Sequence, residues 1–224
     1  SQLFLLLAII VIYLFNIYKL PLDTPFLKML ISFLNIGAVS FVVSAVALRF
    51  AFPIISLEGK SFWLIRSSPL TVNGFLWEKV GTVFFPLLLI EILLVWFSNF
   101  LLSVTPLVWY LSLANAVLIT WALTGLAVGL GAMYPRFKTE NIAQIESSFG
   151  GLLYILSSFF YLALIVGIEV IPLRNYIQYG VFLKGRTSFS YFLPYIVILL
   201  LVSFFVFIVP LKMGQKRLAQ YEDY

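Results

Sequence analysis

The 224-residue sequence contains no cysteine and no histidine. That excludes disulfides, thiolate nucleophiles, Ser-His-Asp triads, HExxH zinc sites and haem-ligating histidines from the chain's own chemistry. Aspartate occurs only at Asp23 and Asp223, at opposite ends of the sequence and outside its apolar runs, so an intramembrane aspartyl dyad is excluded as well and no metal site is expected. Charge is scarce: Lys, Arg, Asp and Glu make up 10% of the residues, against roughly 25% in soluble domains. A Walker A motif is also missing, because the segment from Gly180 to Thr187 (GVFLKGRT) only superficially suggests one. No internal repeat or low-complexity tract is present.

What the sequence has instead is apolar length: 62% of its residues are hydrophobic. Runs of about 20 apolar residues, the length that crosses a hydrocarbon layer of roughly 30 Å, recur along the chain. The expected fold class is an all-α polytopic membrane protein, one domain over residues 1–224 with six transmembrane helices at 2–20, 29–52, 81–102, 106–133, 150–171 and 191–211. The chain opens on Ser1 with an apolar stretch that lacks a basic leading region and a small-residue cleavage site, so it reads as a span rather than a signal peptide. The true start is then processed or lies further upstream.

Six spans place both ends, residues 51–80 and residues 134–149 on one side. That side carries Arg49, Lys60, Arg66, Lys79, Arg136, Lys138, Lys212, Lys216 and Arg217, whereas Lys19, Lys28, Arg174, Lys184 and Arg186 lie on the other. The first side is therefore expected to be cytoplasmic, although three basic residues in the 173–190 loop oppose the assignment. The net charge of +5 needs no nucleic acid to explain it, because juxtamembrane Lys and Arg face anionic lipid headgroups.

Residues 56–79 are too polar to cross a bilayer and too apolar for a free linker. They predict two short helices with a break. Ser56 caps the first, Glu58 lies in its opening turn, and Phe62, Trp63, Leu64 and Ile65 form an apolar surface. Ser68 followed by Pro69 starts the second, leaving Arg66, Ser67, Ser68 and Pro69 as a hydrophilic elbow. The alternative is an interfacial helix with Trp63 and Trp77 as headgroup anchors and no partner.

Glu58-Gly-Lys-Ser-Phe-Trp-Leu-Ile-Arg-Ser-Ser-Pro69, Trp77-Glu-Lys79 leading into a span, Gly129-Leu-Gly-Ala-Met-Tyr-Pro-Arg-Phe-Lys-Thr-Glu-Asn141 and Ser147-Ser-Phe-Gly-Gly151 together resemble the ABC-2 type permeases, transmembrane subunits of ABC exporters. The resemblance spans about residues 56–161. It implies a subunit that docks on a separate cytoplasmic ABC ATPase, pairs with a second permease half as a homo- or heterodimer among membrane lipids, and leaves ATP and Mg to the ATPase, binding no cofactor itself. It further implies a bacterial inner-membrane location, a cytoplasmic coupling segment at 54–80 between spans two and three, and an outer re-entrant or interfacial segment at 173–190. Exporters of this group are usually longer, which makes the chain the C-terminal half of such a protein or a separately encoded half.

Coupling requires a rigid element anchored to two spans whose tip enters a partner's groove. Under that reading Glu58, Lys60 and Arg66 are rim charges, Phe62 or Trp63 is the buried anchor, and Ser67 and Pro69 complete the tip. The second cytoplasmic loop, 134–149, adds Arg136, Phe137 and Glu140, or is simply a lid beneath the bundle. Thr139 is its expected helix cap, with Ile142 and Ile145 on one face. Gly125, Gly129 and Gly131 read as packing positions for another helix, and Gly150 and Gly151 as a hinge or a close crossing with the fourth span.

Within the membrane, Glu91 stands out as the buried charge: an ionised carboxylate there must be paired, protonated or hydrated. Asn35, Asn99 and Asn115, with Ser40, Ser44 and Thr120, offer interhelical hydrogen bonds. Glu169, near the outer end of the fifth span, is expected to reach the headgroups. A proton- or ion-coupled transporter or channel subunit using Glu91 and a non-transporting scaffold subunit are the competing functional classes.

Overall fold

The computed structural model describes residues 25–61, 71–139, 141–176 and 193–220. The expected first span, the side chains of Lys60, Phe62, Trp63, Arg66, Ser67, Pro69 and Glu140, and most of the outer 173–190 segment fall outside the described residues.

Long helices account for nearly all of the described chain: α1 (Pro25–Phe50), α2 (Val72–Leu102), α3 (Pro106–Met133), the short α4 (Ile142–Glu146), α5 (Phe149–Tyr176) and α6 (Leu193–Ala219). Two 3-10 turns, Phe52–Ile54 and Ser56–Ser61, follow α1. Among the described residues, 5 helices are long and apolar enough to cross a membrane. Large apolar side chains such as Phe85, Tyr110, Phe160 and Phe205 point outward from them. Such a surface suits lipid and would be an aggregating patch in water. The chain is therefore read as an integral membrane protein.

Helix ends follow local chemistry. Thr71 has extended backbone and its Oγ1 accepts a hydrogen bond from the Gly74 N–H at 3.2 Å, which starts α2. At the other end Ser103 takes a left-handed φ of 50° and its N–H returns to the Asn99 and Phe100 carbonyls. Thr105, held extended by the proline that follows it, leads into α3 with Pro106 in the first turn.

The fourth expected span, α3, forms the centre. It packs on α1, α2, α5 and α6, most extensively on α6. Small residues permit this: a Cβ at Gly129 would lie 2.5 Å from the Pro210 carbonyl carbon, and one at Gly214 would run into the Gly129 carbonyl. A Cβ at Gly125 would enter the ring of Phe207, which stacks on Trp121 at 4.0 Å. These positions are thus close-packing sites, as expected of Gly125 and Gly129.

The described part of the first loop and the second loop refine the sequence expectations. The start of the first loop, Ser56–Ser61, is a 3-10 turn, and α2 begins at Val72, capped by Thr71, and continues unbroken through the third expected span. The expected cap Ser68 and the break around it lie outside the described residues. In the second loop Asn141 caps α4 by accepting from the Ala143 N–H, while the Thr139 hydroxyl donates to Gln144. Ile145 is buried there, but Ile142 is exposed, because a helix this short presents only one turn to the core.

Candidate functional site

The α1–α2 connection and the α3–α5 connection meet at one end of the bundle, called here the basic end. Phe52, fully buried, lies where its carbonyl fills the space beside Gly131 and its ring edges up to Gly150. Beyond it Ser56, also buried, accepts a hydrogen bond through Oγ from the Arg136 N–H at 3.0 Å. One turn further, a Cβ on Gly59 would lie 2.6 Å from the Phe137 carbonyl oxygen. The approach of two backbones requires glycine here.

Glu58 completes the joint. Its carboxylate pairs with the Lys79 ammonium at 2.5 Å, fastening the 3-10 turn to the opening turns of α2. Lys79 also lies 5.3 Å over the Phe75 ring. Glu58 is therefore an internal fastener, a role its reading as a rim charge did not include. The two loops form one platform built on α1, α2, α3 and α5. Arg136 and Phe137 belong to it; the Arg136 side chain is exposed, as are Lys138 and Arg217 nearby.

Gly150 and Gly151 serve the same end. Gly150 lies against the side chains of Tyr134 and Phe52, and Gly151 lies under the Glu146 carbonyl. Ser148 Oγ accepts from the Gly151 N–H at 3.3 Å. These contacts make the pair a close approach to the second loop and to the end of α3.

Deeper in the bundle, Glu91 is fully buried and both of its carboxyl oxygens accept hydrogen bonds from hydroxyls: Ser40 on α1 at 2.7 Å, and Thr120 on α3. It ties three helices together. Asn115 donates to Glu169, which is buried within the bundle where the sequence reading has it reach outward to the headgroups. The difference arises because Glu169 sits on the stripe of α5 that carries Tyr154, Ser158, Tyr161 and Ile165, all buried against neighbouring helices. Glu169 Oε2 has no hydrogen-bond partner among the described residues.

Asn99 donates to Ser112 at 2.6 Å, while its own Oδ1, Asn35 Oδ1 and Ser98 Oγ are buried without hydrogen-bond partners among the described residues. The Tyr154 hydroxyl donates to the Ser44 carbonyl at 3.2 Å, and the Tyr161 and Ser203 hydroxyls are 2.9 Å apart. The roles of Tyr154, Tyr161 and Glu169 were not read from the sequence. Their spacing of seven and eight residues along α5, about two helical turns each, was the available signal.

A family model described as "Putative ATP-binding cassette" matches residues 1–222. No curated protein matches the chain, and no solved structure matches it. The matched family is ABC-related but is not the ABC-2 permease family that the motifs resemble. Residues 1–222 cover nearly the whole sequence, so this helical, apolar chain belongs to the family described as an ATP-binding cassette.

Proposed function

We propose that the chain is the transmembrane permease subunit of an ATP-binding cassette exporter, forming part of the substrate path and coupled to a separate cytoplasmic ATPase subunit. The supporting observation is the platform at the basic end. A coupling element must transmit partner movement to several helices at once, and Ser56, Glu58 and Gly59 join the 3-10 turn to the end of α3, the start of α2 and the second loop. Residues 62–70, which follow the 3-10 turn in sequence, include Phe62, Trp63 and Arg66, and aromatic and arginine side chains dominate interface hot spots.

In this reading the basic end and both chain ends face the cytoplasm of a bacterial inner membrane. The chain contains no Walker A motif; in this reading the partner binds ATP and Mg and hydrolyses the ATP, and this subunit carries out no catalysis of its own. A second permease half, identical or related, completes the path.

Substituting Trp63 and Arg66 by Ala should reduce recovery of the ATPase subunit while the helices stay folded. Unchanged co-purification contradicts the coupling assignment. The competing reading, a proton- or ion-coupled transporter, draws on the buried Glu91 and on Glu169 Oε2, which has no hydrogen-bond partner among the described residues. Transport that survives ATP depletion, collapses with the proton gradient and is lost in Glu91→Gln would select it.

A further inference from the structure

We propose that the recess at the basic end between the close of α3, the start of α5 and the end of α6 binds a phosphate group of net negative charge, carried by an anionic lipid headgroup or supplied as free phosphate. The recess has a volume of about 280 Å³ and is lined by Met133, Tyr134, Pro135, Arg136, Ser148, Phe149, Gly150 and Arg217. Its two guanidinium-bearing residues come from segments far apart in sequence, the α3–α5 connection and the last turn of α6. Both arginines are exposed. Neither side chain has an acidic partner among the described residues. Two arginines lining one recess, neither in an ion pair with another described residue, suit phosphate oxygens, which a planar guanidinium can bind bidentately.

The chemistry of the walls supports the same ligand. Among the described residues no carboxylate lines the recess itself; the acidic group nearest in sequence is Glu146, two residues before Ser148, with its Oε1 buried and without a hydrogen-bond partner among the described residues. The buried Ser148 closes the floor and uses its Oγ to cap the first turn of α5, where unpaired backbone N–H groups favour negative charge. On the membrane side Phe149 is exposed, and below it Leu152, Leu156 and Phe159 continue an apolar face along α5. A ligand with a phosphate at the arginines and an acyl chain along that face would match both parts. Basic pockets between helices at a membrane surface are where anionic headgroups bind.

The inference is independent of any ATPase. Its test is native mass spectrometry of the whole chain released from nanodiscs containing equal parts phosphatidylglycerol and phosphatidylcholine, beside thermal unfolding in pure phosphatidylcholine nanodiscs with and without inorganic phosphate. The wild type should retain phosphatidylglycerol preferentially, and Arg136→Gln with Arg217→Gln should lower that retention about tenfold. Lys212→Gln with Lys216→Gln removes the same charge from exposed positions of α6 outside the recess and should leave retention intact. Arg→Lys at both positions keeps the charge without the planar guanidinium and should fall between.

Protection by inorganic phosphate that depends on Arg136 and Arg217, with no lipid preference, identifies free phosphate as the source and keeps the site. The proposal is overturned if the lysine control loses as much lipid as the arginine variant, which means general surface charge, or if neither lipid nor phosphate responds to the arginines. Both arginines are exposed and neither is in an ion pair with another described residue, so the variants should fold, and a wild-type melting profile without added phosphate verifies it.

Discussion

At the basic end, polar groups join chain segments that are distant in sequence through an ion pair and close backbone contact: Glu58 with Lys79, Ser56 with Arg136, Gly59 with Phe137. In the interior, the hydrogen bonds of Glu91 and Glu169 among the described residues come from neutral side chains, the hydroxyls of Ser40 and Thr120 and the amide of Asn115. The first arrangement is partly exposed and depends on shape. The second is buried and depends on hydrogen bonding. The Glu58–Lys79 pair is half-buried; ion pairs near a surface are worth about 0–1 kcal/mol, which suits a surface that must meet a partner. Interhelical hydrogen bonds in a membrane average about 0.6 kcal/mol each, so a carboxyl that collects several of them fixes helix positions and tolerates little change.

Both regions depend on the α3–α6 crossing, and breaking it should have the largest effect. Gly129→Leu would force a side chain into the backbone of Pro210 and Leu211, and overpacking of this kind costs about 1–3 kcal/mol. The expected result is loss of a monodisperse peak in size-exclusion chromatography and a lower melting temperature, with both regions disturbed together.

The interior should come next. Glu91→Leu leaves the Ser40 and Thr120 hydroxyls without their acceptor and should lose about 1–2 kcal/mol, whereas Glu91→Gln keeps an acceptor and should lose less than half of that in thermal unfolding. Equal losses would show that charge, not hydrogen bonding, matters at this position. Glu169→Gln should cost less than Glu91→Gln, because Glu169 has one oxygen without a hydrogen-bond partner among the described residues while both oxygens of Glu91 are engaged.

The basic end should show the smallest stability effects. Glu58→Gln should cost at most about 1 kcal/mol, and Lys79→Gln added to it should cost little more, since the pair is already broken. A double-mutant cycle by thermal unfolding measures this coupling. A coupling well above that of a surface pair would make the joint a folding element and reduce the contrast between the regions.

Much of this fold was legible because the apolar runs are long: the start of α3 at Pro106 and its end at Met133 were read directly, and Gly125 and Gly129 were read as packing positions from small-residue spacing. Glu91 was legible as a buried carboxyl because charges are so few. The joining of the two loops was not. A glycine beside a carbonyl and a serine under a backbone N–H have no periodicity, and their partners lie about 80 residues away in sequence. Glu169 was misplaced for a related reason. Its distance from the helix end suggested headgroups, while the stripe it shares with Tyr154 and Tyr161 turns it inward.

The same contrast gives the most direct test of coupling through the platform. Gly59→Val places a side chain against the Phe137 backbone and should separate the two loops with little effect on the spans, whereas Glu91→Leu should loosen the spans and leave the platform joined. The measurement is the amount of ATPase subunit that co-purifies with each variant. The account predicts that Gly59→Val loses the ATPase while Glu91→Leu, though less heat-stable, retains it; retention by Gly59→Val together with loss by Glu91→Leu would contradict it.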